Sequence, residues 1–257
     1  MGFTFDGVHS KNMKITARIA NWQVSPAPRN AFEVIPGRMG IADLGSDTSE
    51  KYIRVICNIF PQHSFTEVIH LLDDVAEWLN PNLGLKQLVL DDIPNRYFLA
   101  RLVEEVDCER ILRSAGSFEL TFVCPDPYGY AITDEQFTIN STGSHVVERE
   151  LGNIESFPIY RMKGNISSSS STFLTVTTNG ESLKVNGPLS SNEILIVDSG
   201  LLTAKITDTS GNTIRNGLSI LDELNFPVLY PDSNEIKISS TGATFTELHV
   251  LSQSRWR

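Results

Sequence analysis

The spacing of hydrophobic and polar positions changes once along the chain. Up to about residue 136, alternating stretches are mixed with one stretch of helical periodicity, whereas residues 137–257 consist of short alternating stretches separated by turn residues. Alternation places every second side chain on one face of a strand, and a repeat of three to four residues lines one face of a helix. The pattern predicts a mainly β chain with one helix. An N-terminal α+β domain (1–136) is followed by an antiparallel β-sandwich (137–257).

The helix is predicted over about residues 64–80. Ser64 and Glu67 have the spacing of a capping box, in which both side chains satisfy backbone N–H groups at the helix start. Polar and apolar residues then occupy opposite faces. Pro81 ends the helix because the residue before a proline avoids the helical region. The apolar face consists of Val68, Ile69, Leu71, Leu72, Val75, Trp78 and Leu79.

Strands are predicted on both sides of this helix. Residues 51–60 and 117–125 each alternate, so each presents one apolar face. Residues 87–102 are interpreted as two strands joined by a turn at 92–96, since Asp, Pro and Asn favour turns. The two apolar faces consist of Ile53, Val55, Cys57 and Ile59, and of Phe118, Leu120, Phe122 and Cys124.

The clearest feature of the C-terminal part is a hairpin over residues 172–187. Asn179 and Gly180 both tolerate positive φ and favour a type I′ turn. Across this turn Leu174 and Val176 are expected to face Leu183 and Val185. Further strands are predicted at 193–197, 202–207, 235–240 and 244–251.

The net charge of the chain argues against nucleic-acid binding. The 257 residues carry a net charge of −10. The first 136 residues hold 12 basic and 19 acidic side chains, net −7, which leaves −3 for the rest. Proteins that bind nucleic acid by neutralising phosphates have basic patches, so this class is not expected. No secretory signal or membrane-spanning stretch is visible, and we expect synthesis in a cytoplasm-like compartment.

The sequence predicts no catalytic, metal or cofactor site. His70, Asp73, Asp74 and Glu77 have ligand-like spacing, but they form the polar face of the predicted helix, and a solvated face is the preferred interpretation. The three cysteines, Cys57, Cys108 and Cys124, are too scattered for a disulfide framework or a zinc site. No sequence motif for a catalytic serine, a metal or a phosphate is present.

A β-sandwich also raises the alternative of carbohydrate binding. Sugar sites combine an aromatic platform with converging polar groups. The tryptophans are Trp22, Trp78 and Trp256, so the body of the predicted sandwich has none. A carbohydrate- or receptor-binding module on a surface stays open as an alternative function.

Several segments together resemble the distal tail (Dit) proteins of siphophages, especially those of Bacillus-infecting phages. The opening FTFDGVHSKNMKI is similar to that family's N-terminal segment, and AEWLN, LVLDDIPNRYFLARL and FELTFVCPDPYGY follow in the family's order. VIPGRMG resembles a family turn, with Met39 in place of an acid. NFPVLYPDSNEIKI resembles a second family segment, with Asp232 in place of a glycine. The turn residues singled out are Pro36, Gly37, Arg38, Gly40, Asn179, Gly180, Pro231 and Asn234.

This resemblance implies a tail hub that is not an enzyme and needs no cofactor. The N-terminal domain would form a hexameric ring, single or in two stacked copies, and the C-terminal domain would be a galectin-like β-sandwich. The ring would join the tail tube protein to a tail-associated or fibre protein at the virion tail tip. DNA would pass through the channel without specific binding. We expect an acidic or neutral channel, in which Arg101, Arg110 and Arg113 pair with Glu104, Glu105, Asp107 and Glu109.

Overall fold

The computed structural model describes residues 1–104, 106, 108–112 and 115–257, with only the backbone for 109–112 and 115. The chain divides into two compact units, residues 1–129 with Arg257 and residues 130–256. The division therefore falls before the change of sequence pattern at 136. Residues 134 and 135 lie in the second unit because Asp134 accepts the N–H of Ser254 and Glu135 accepts that of Glu150.

The first unit combines one main antiparallel sheet, one helix and a separate two-stranded hairpin. In the main sheet the central strand order is β2-β1-β7-β8-β10-β6-β3, and β4 pairs only with β5 among the described strands. The elements are β1 (Phe3–Phe5), β2 (Val8–His9), β3 (Ile15–Trp22), β4 (Pro28–Glu33), β5 (Ala42–Thr48), β6 (Lys51–Ile59), α1 (Phe65–Trp78), β7 (Lys86–Leu90), β8 (Ile93–Leu102), β9 (Glu109–Leu112), β10 (Ala115–Cys124) and β11 (Gly129–Ala131), the last of which ends in the second unit.

The core of the first unit contains the two predicted apolar rows. β6 and β10 are antiparallel neighbours, with Val55 opposite Leu120 and Ile53 opposite Phe122. All eight predicted residues of the two rows are at most 4% exposed, which confirms both faces. Lys51 continues the row of β6 and is also buried, with Nζ 4.4 Å from the centre of the Trp22 ring. A cation over an aromatic face compensates part of its lost hydration.

The helix forms where the periodicity predicts it. The Ser64 side chain accepts the N–H of Glu67, and the Glu67 carboxylate accepts the N–H of His63. The buried helix residues are Val68, Leu71 and Val75, and Leu79 is buried at the C-cap. Ile69 is predicted on the apolar face but is 44% exposed. Each residue advances an α-helix by about 100°, so Ile69 lies well to one side of the buried Val68. Trp78 stacks on Phe3 of β1, which fixes the helix end to the sheet.

The connection of β7 to β8 differs from the predicted turn at 92–96. Leu90 pairs with Ile93, so the turn contains only Asp91 and Asp92, and Pro94 lies inside β8. The register of the two strands shifts at Leu88/Leu90. An irregular ladder of this kind accommodates a proline near a strand end, since proline lacks the N–H that a regular ladder needs.

The second unit is an antiparallel β-sandwich of a six-stranded and a four-stranded sheet. The strand orders are β12-β21-β14-β17-β18-β19 and β13-β20-β15-β16. The strands of the two sheets are β12 (Gln136–Ile139), β13 (Gly143–Arg149), β14 (Ile159–Asn165), β15 (Phe173–Thr178), β16 (Glu181–Val185), β17 (Glu193–Asp198), β18 (Thr203–Asp208), β19 (Thr213–Asn216), β20 (Asp232–Thr241) and β21 (Thr244–Leu251). A short strand outside both sheets, β22 (Arg255–Trp256), follows.

The two sheets of the sandwich enclose one hydrophobic core. The four-stranded sheet contributes Val176 and Ile238, and the six-stranded sheet contributes Leu195 and Leu248. The Tyr160 hydroxyl donates to the Thr178 hydroxyl at 2.9 Å inside this core, so these two buried hydroxyls are paired. The predicted hairpin is present in the predicted register, with Leu174 opposite Val185 and Val176 opposite Leu183.

Candidate functional site

The most unusual surface of the first unit is the β4–β5 hairpin with its connecting loop, residues 28–48, here called the arm. Its two strands pair with each other, from Pro28 opposite Thr48 to Glu33 opposite Ala42. Every residue of β4 and of the loop is exposed, and most of β5 is exposed. A lone two-stranded hairpin is at best marginally stable in water. The arm therefore depends on additional contacts for full stability.

The arm presents large apolar side chains to solvent. Exposed fractions range from 41% at Ile35 to 98% at Met39. Exposed apolar side chains that are concentrated in one segment make that segment a candidate interaction surface. The residues concerned are Phe32, Val34, Ile35, Met39, Ile41 and Leu44.

The arm's tip contains the first set of predicted turn residues. Pro36 and Gly37 are the central residues of a β-turn closed by the Arg38 N–H, which donates to the Ile35 carbonyl at 3.1 Å. Gly37 and Gly40 have φ of +82° and +81°, a region that suits glycine. Proline followed by a glycine at positive φ is typical of a type II turn. Arg38 takes part in this turn through its backbone, and its side chain is exposed.

Polar contacts set the register of the arm. Arg29 and Asp47 lie opposite each other and form a paired contact, Nε to Oδ1 at 2.9 Å and Nη2 to Oδ2 at 3.2 Å. Both side chains are about two-thirds exposed, so the pair adds little stability in water. Its effect is to fix the strand alignment.

The other predicted turn residues meet in the second unit. Asn179 and Gly180 form the β15–β16 turn with φ of 50° and 91°, as a type I′ turn requires. Pro231 precedes β20, and Asp232 has φ of 67°, at the place where the resembled segment has a glycine. The Asn234 side chain is buried and bonded to Asn179 Nδ2 at 2.8 Å. The structure thus joins two turns that are far apart in sequence.

Burial disfavours the thiolate form of the three cysteines. Burial raises the pKa of the Cys57 and Cys124 thiols to about 12, and it also raises the pKa of the Cys108 thiol. A thiol is nucleophilic only as a thiolate, so these three are poor nucleophiles near neutral pH. Within the described residues no group of three acidic, His or Cys side chains is arranged to hold a metal ion.

Part of the predicted channel lining can be located. Arg101 is exposed on β8, and the Glu104 carboxylate accepts the hydroxyl of Thr121. Glu105, Asp107 and Arg113 lie outside the described residues, as do the side chains of Glu109 and Arg110. No described helix is long and apolar enough to cross a membrane.

The sequence pattern predicts no strands over residues 28–48, so the arm is not among the predicted elements. The available indication was the Pro36-Gly37 turn flanked on both sides by apolar residues. The exposure of those residues could not be recognised, because apolar residues beside a turn ordinarily mark buried strands.

Comparisons with known proteins agree with the resemblance. Residues 7–124 match the family model of the phage tail protein RIFT-related domain. No curated protein matches the sequence. Among solved structures, the Dit protein of phage SPP1, titled a paradigm of the hub adsorption apparatus in phages that infect Gram-positive hosts, aligns over 100% of this chain and 99% of its own. The TM-score is 0.76 at 16% identity.

Two structures of the phage P2 baseplate in its activated conformation are also similar. The Ca structure aligns over 98% of both chains with a TM-score of 0.50 at 12% identity. The Sr structure covers 96% of this chain and 97% of the other, with a TM-score of 0.50 at 11% identity. Residues 7–124 thus match the phage tail RIFT-related domain, and the chain as a whole has the fold of the SPP1 Dit protein.

Proposed function

We propose that this protein is the structural hub at the distal end of a bacteriophage tail. Six copies form a ring, single or in two stacked layers, that joins the tail tube protein to a tail-associated or fibre protein and leaves a channel for DNA. The protein is made in the host bacterial cytoplasm and acts at the virion tail tip, without catalysing a reaction. The family match over residues 7–124 and the whole-chain likeness to SPP1 Dit support this assignment.

The arm is the observation that carries the proposal. Its exposed apolar residues would be covered if the arm packed against another copy of the chain. Each square ångström of apolar surface removed from water contributes about 25 cal/mol, so several large side chains provide a substantial driving force. Ring assembly thereby explains why an exposed hairpin carries these residues.

The geometry of such a contact favours a ring over a simple dimer. An arm that packs against a different surface of the next copy makes a heterologous contact, in which donor and acceptor surfaces differ. Repetition of a heterologous contact yields a closed ring when the rotation per copy divides a full turn. Six copies with a net charge of −10 each also repel phosphates, so DNA can pass without binding.

The proposal is tested by placing polar residues in the arm. In the variant Phe32→Ser/Ile41→Ser, both substituted positions are about half exposed, so the fold of the single chain is expected to persist. Light scattering should then show a fall from the mass of the assembly to that of one chain. The control Leu224→Ser changes a side chain that is 63% exposed in the second unit and should leave the assembly intact. Equal assembly of the arm variant and the wild type would refute the arm's role.

A further inference from the structure

Two cations flank one isoleucine on the outer face of the six-stranded sheet. Arg161 of β14 lies opposite Ile196 of β17, which in turn lies opposite Lys205 of β18. Residues directly opposite each other in neighbouring strands point to the same face, and strands are spaced by about 4.8 Å. The two basic side chains therefore start roughly 10 Å apart on one exposed row.

In the described part of the chain, neither Arg161 nor Lys205 has a carboxylate within salt-bridge distance. Other basic residues of the same sheet do have one. The Glu247 carboxylate contacts both Lys163 and His249, and Glu193 contacts Arg215. In a chain with a net charge of −10, two exposed unpaired cations on one row form a local positive site.

A hollow of about 240 Å³ lies beside these cations. Its floor is apolar and half-buried, formed by Ile159, Ile196 and Leu251. Asp198 also lines the hollow, but its Oδ1 accepts the N–H groups of Gly200 and Leu201 at 3.0 and 2.9 Å. Oδ1 of that carboxylate is therefore engaged in the β17–β18 turn, and the two basic side chains that line the hollow outnumber this one acidic side chain. The hollow with its two cations, Arg161 and Lys205, is called the basic trough below.

The β17–β18 turn adds apolar surface at the trough's edge. Leu201 and Leu202 are 73% and 59% exposed, and Leu201 lines the hollow. Leu202 has φ of 54°, a conformation that is unfavourable for a bulky residue. Strained residues with exposed apolar side chains are concentrated at binding sites.

We propose that the basic trough binds a segment of another protein in which a carboxylate side chain lies beside an apolar one. The carboxylate is placed between Arg161 and Lys205, and the apolar side chain covers Ile196 and contacts Leu201. A saccharide fits less well, because the floor offers aliphatic side chains instead of an aromatic platform. This site lies in the second unit and requires no ring, so it goes beyond the hub function.

The test uses the full chain and a fluorescently labelled, terminally blocked hexapeptide that alternates leucine and glutamate. Fluorescence anisotropy should show saturable binding with a dissociation constant of about 1 mM or tighter, weakening as salt is added. Arg161→Glu/Lys205→Glu should weaken binding by at least about tenfold. The control Lys237→Glu reverses one exposed cation on the four-stranded sheet and should change little.

Three outcomes would overturn the proposal. They are no peptide binding at millimolar concentration, equal binding by the Arg161/Lys205 variant, and equal binding of a leucine–lysine peptide. Binding of an acidic oligogalacturonate in place of the peptide would assign the trough to saccharides instead. The mass of the assembly, measured on the same samples, separates this test from that of the hub function.

Discussion

The Nδ2 group of Asn179 donates a 2.8 Å hydrogen bond to Oδ1 of Asn234, 55 residues further along the chain. The same Asn234 amide donates from Nδ2 to the Tyr230 carbonyl and accepts the Tyr230 N–H. Asn179 in turn exchanges two hydrogen bonds with the backbone of Glu235. This pair, of which Asn234 is buried, locks the β15–β16 turn to the start of β20, and so ties one edge hairpin to the centre of its sheet.

Replacing Asn234 should therefore destabilise the sandwich strongly. Asn234→Ala removes the acceptor of the Tyr230 N–H, and an unpaired buried group costs about 1–3 kcal/mol. The Tyr230 carbonyl keeps Arg149 as a donor, and Asn179 Nδ2 keeps the Val228 carbonyl as an acceptor. We expect a loss of about 2 kcal/mol in the free energy of unfolding, measured by urea denaturation. The control Asn192→Ala, at an exposed turn position, should stay within about 0.5 kcal/mol of the wild type. A similarly small change for Asn234→Ala would contradict the role of the pair.

The turn at Asn179-Gly180 could be predicted from the sequence, whereas the hydrogen bond between Asn179 and Asn234 could not. The Asn179-Gly180 turn follows from local chemistry, because two adjacent residues that tolerate positive φ fix the hairpin and its register. The bond to Asn234 depends on how β20 is placed beside β15. Such long-range placement is set by packing of the whole sandwich, and no local pattern encodes it.

A second prediction concerns the strained β17–β18 turn. Leu202 has φ of 54°, whereas Leu201 is not among the residues with positive φ. Leu202→Gly should raise the melting temperature, because glycine removes strain of about 1–2 kcal/mol and the lost side chain is mostly exposed. Leu201→Gly should lower it, since it only adds freedom to the unfolded chain. The order of the two melting temperatures checks this, and the reverse order would be inconsistent with the turn geometry.

The cysteines provide a test of burial by chemical labelling. Because burial raises the pKa of Cys57 and Cys124 to about 12, almost no thiolate is present at pH 8. Mass spectrometry after iodoacetamide treatment should find Cys108, which is only partly buried, modified first, and all three modified in denaturant. Stability should also fall as pH rises from about 9 towards 12, because the unfolded thiols ionise first. Rapid labelling of Cys57 in the native protein would show the core to be open.

Acid should weaken the contact between Glu193 and Arg215. The Arg215 hydrogen bonds hold the pKa of the Glu193 carboxyl below its usual value, so the folded state binds fewer protons than the unfolded state in this range. The stabilisation is present above about pH 4.5 and is lost as pH falls through the lowered pKa. Glu193→Gln should therefore melt below the wild type at pH 7, and the difference should disappear as pH falls through the lowered pKa of Glu193. Exposed Glu181→Gln serves as the control, and a gap that is independent of pH would contradict this explanation.

The arm marks the clearest limit of the sequence interpretation. Alternation predicted the rows of β6 and β10 because one face of each strand is buried within its own unit. Phe32 and Ile41 are equally apolar, but both are about half exposed in the single chain. A pattern of apolar residues indicates that their side chains favour burial. It does not identify the surface against which they pack.

The mass of the assembly formed by the full chain tests the central claim most directly. Native mass spectrometry of the purified 28.5 kDa chain should give about 171 kDa for six copies, or twice that value for two stacked rings. Negative-stain images of the same sample should show a six-fold ring with a central channel. A single species of 28.5 kDa at micromolar concentration, with no ring in assembled tails, would contradict the hub function.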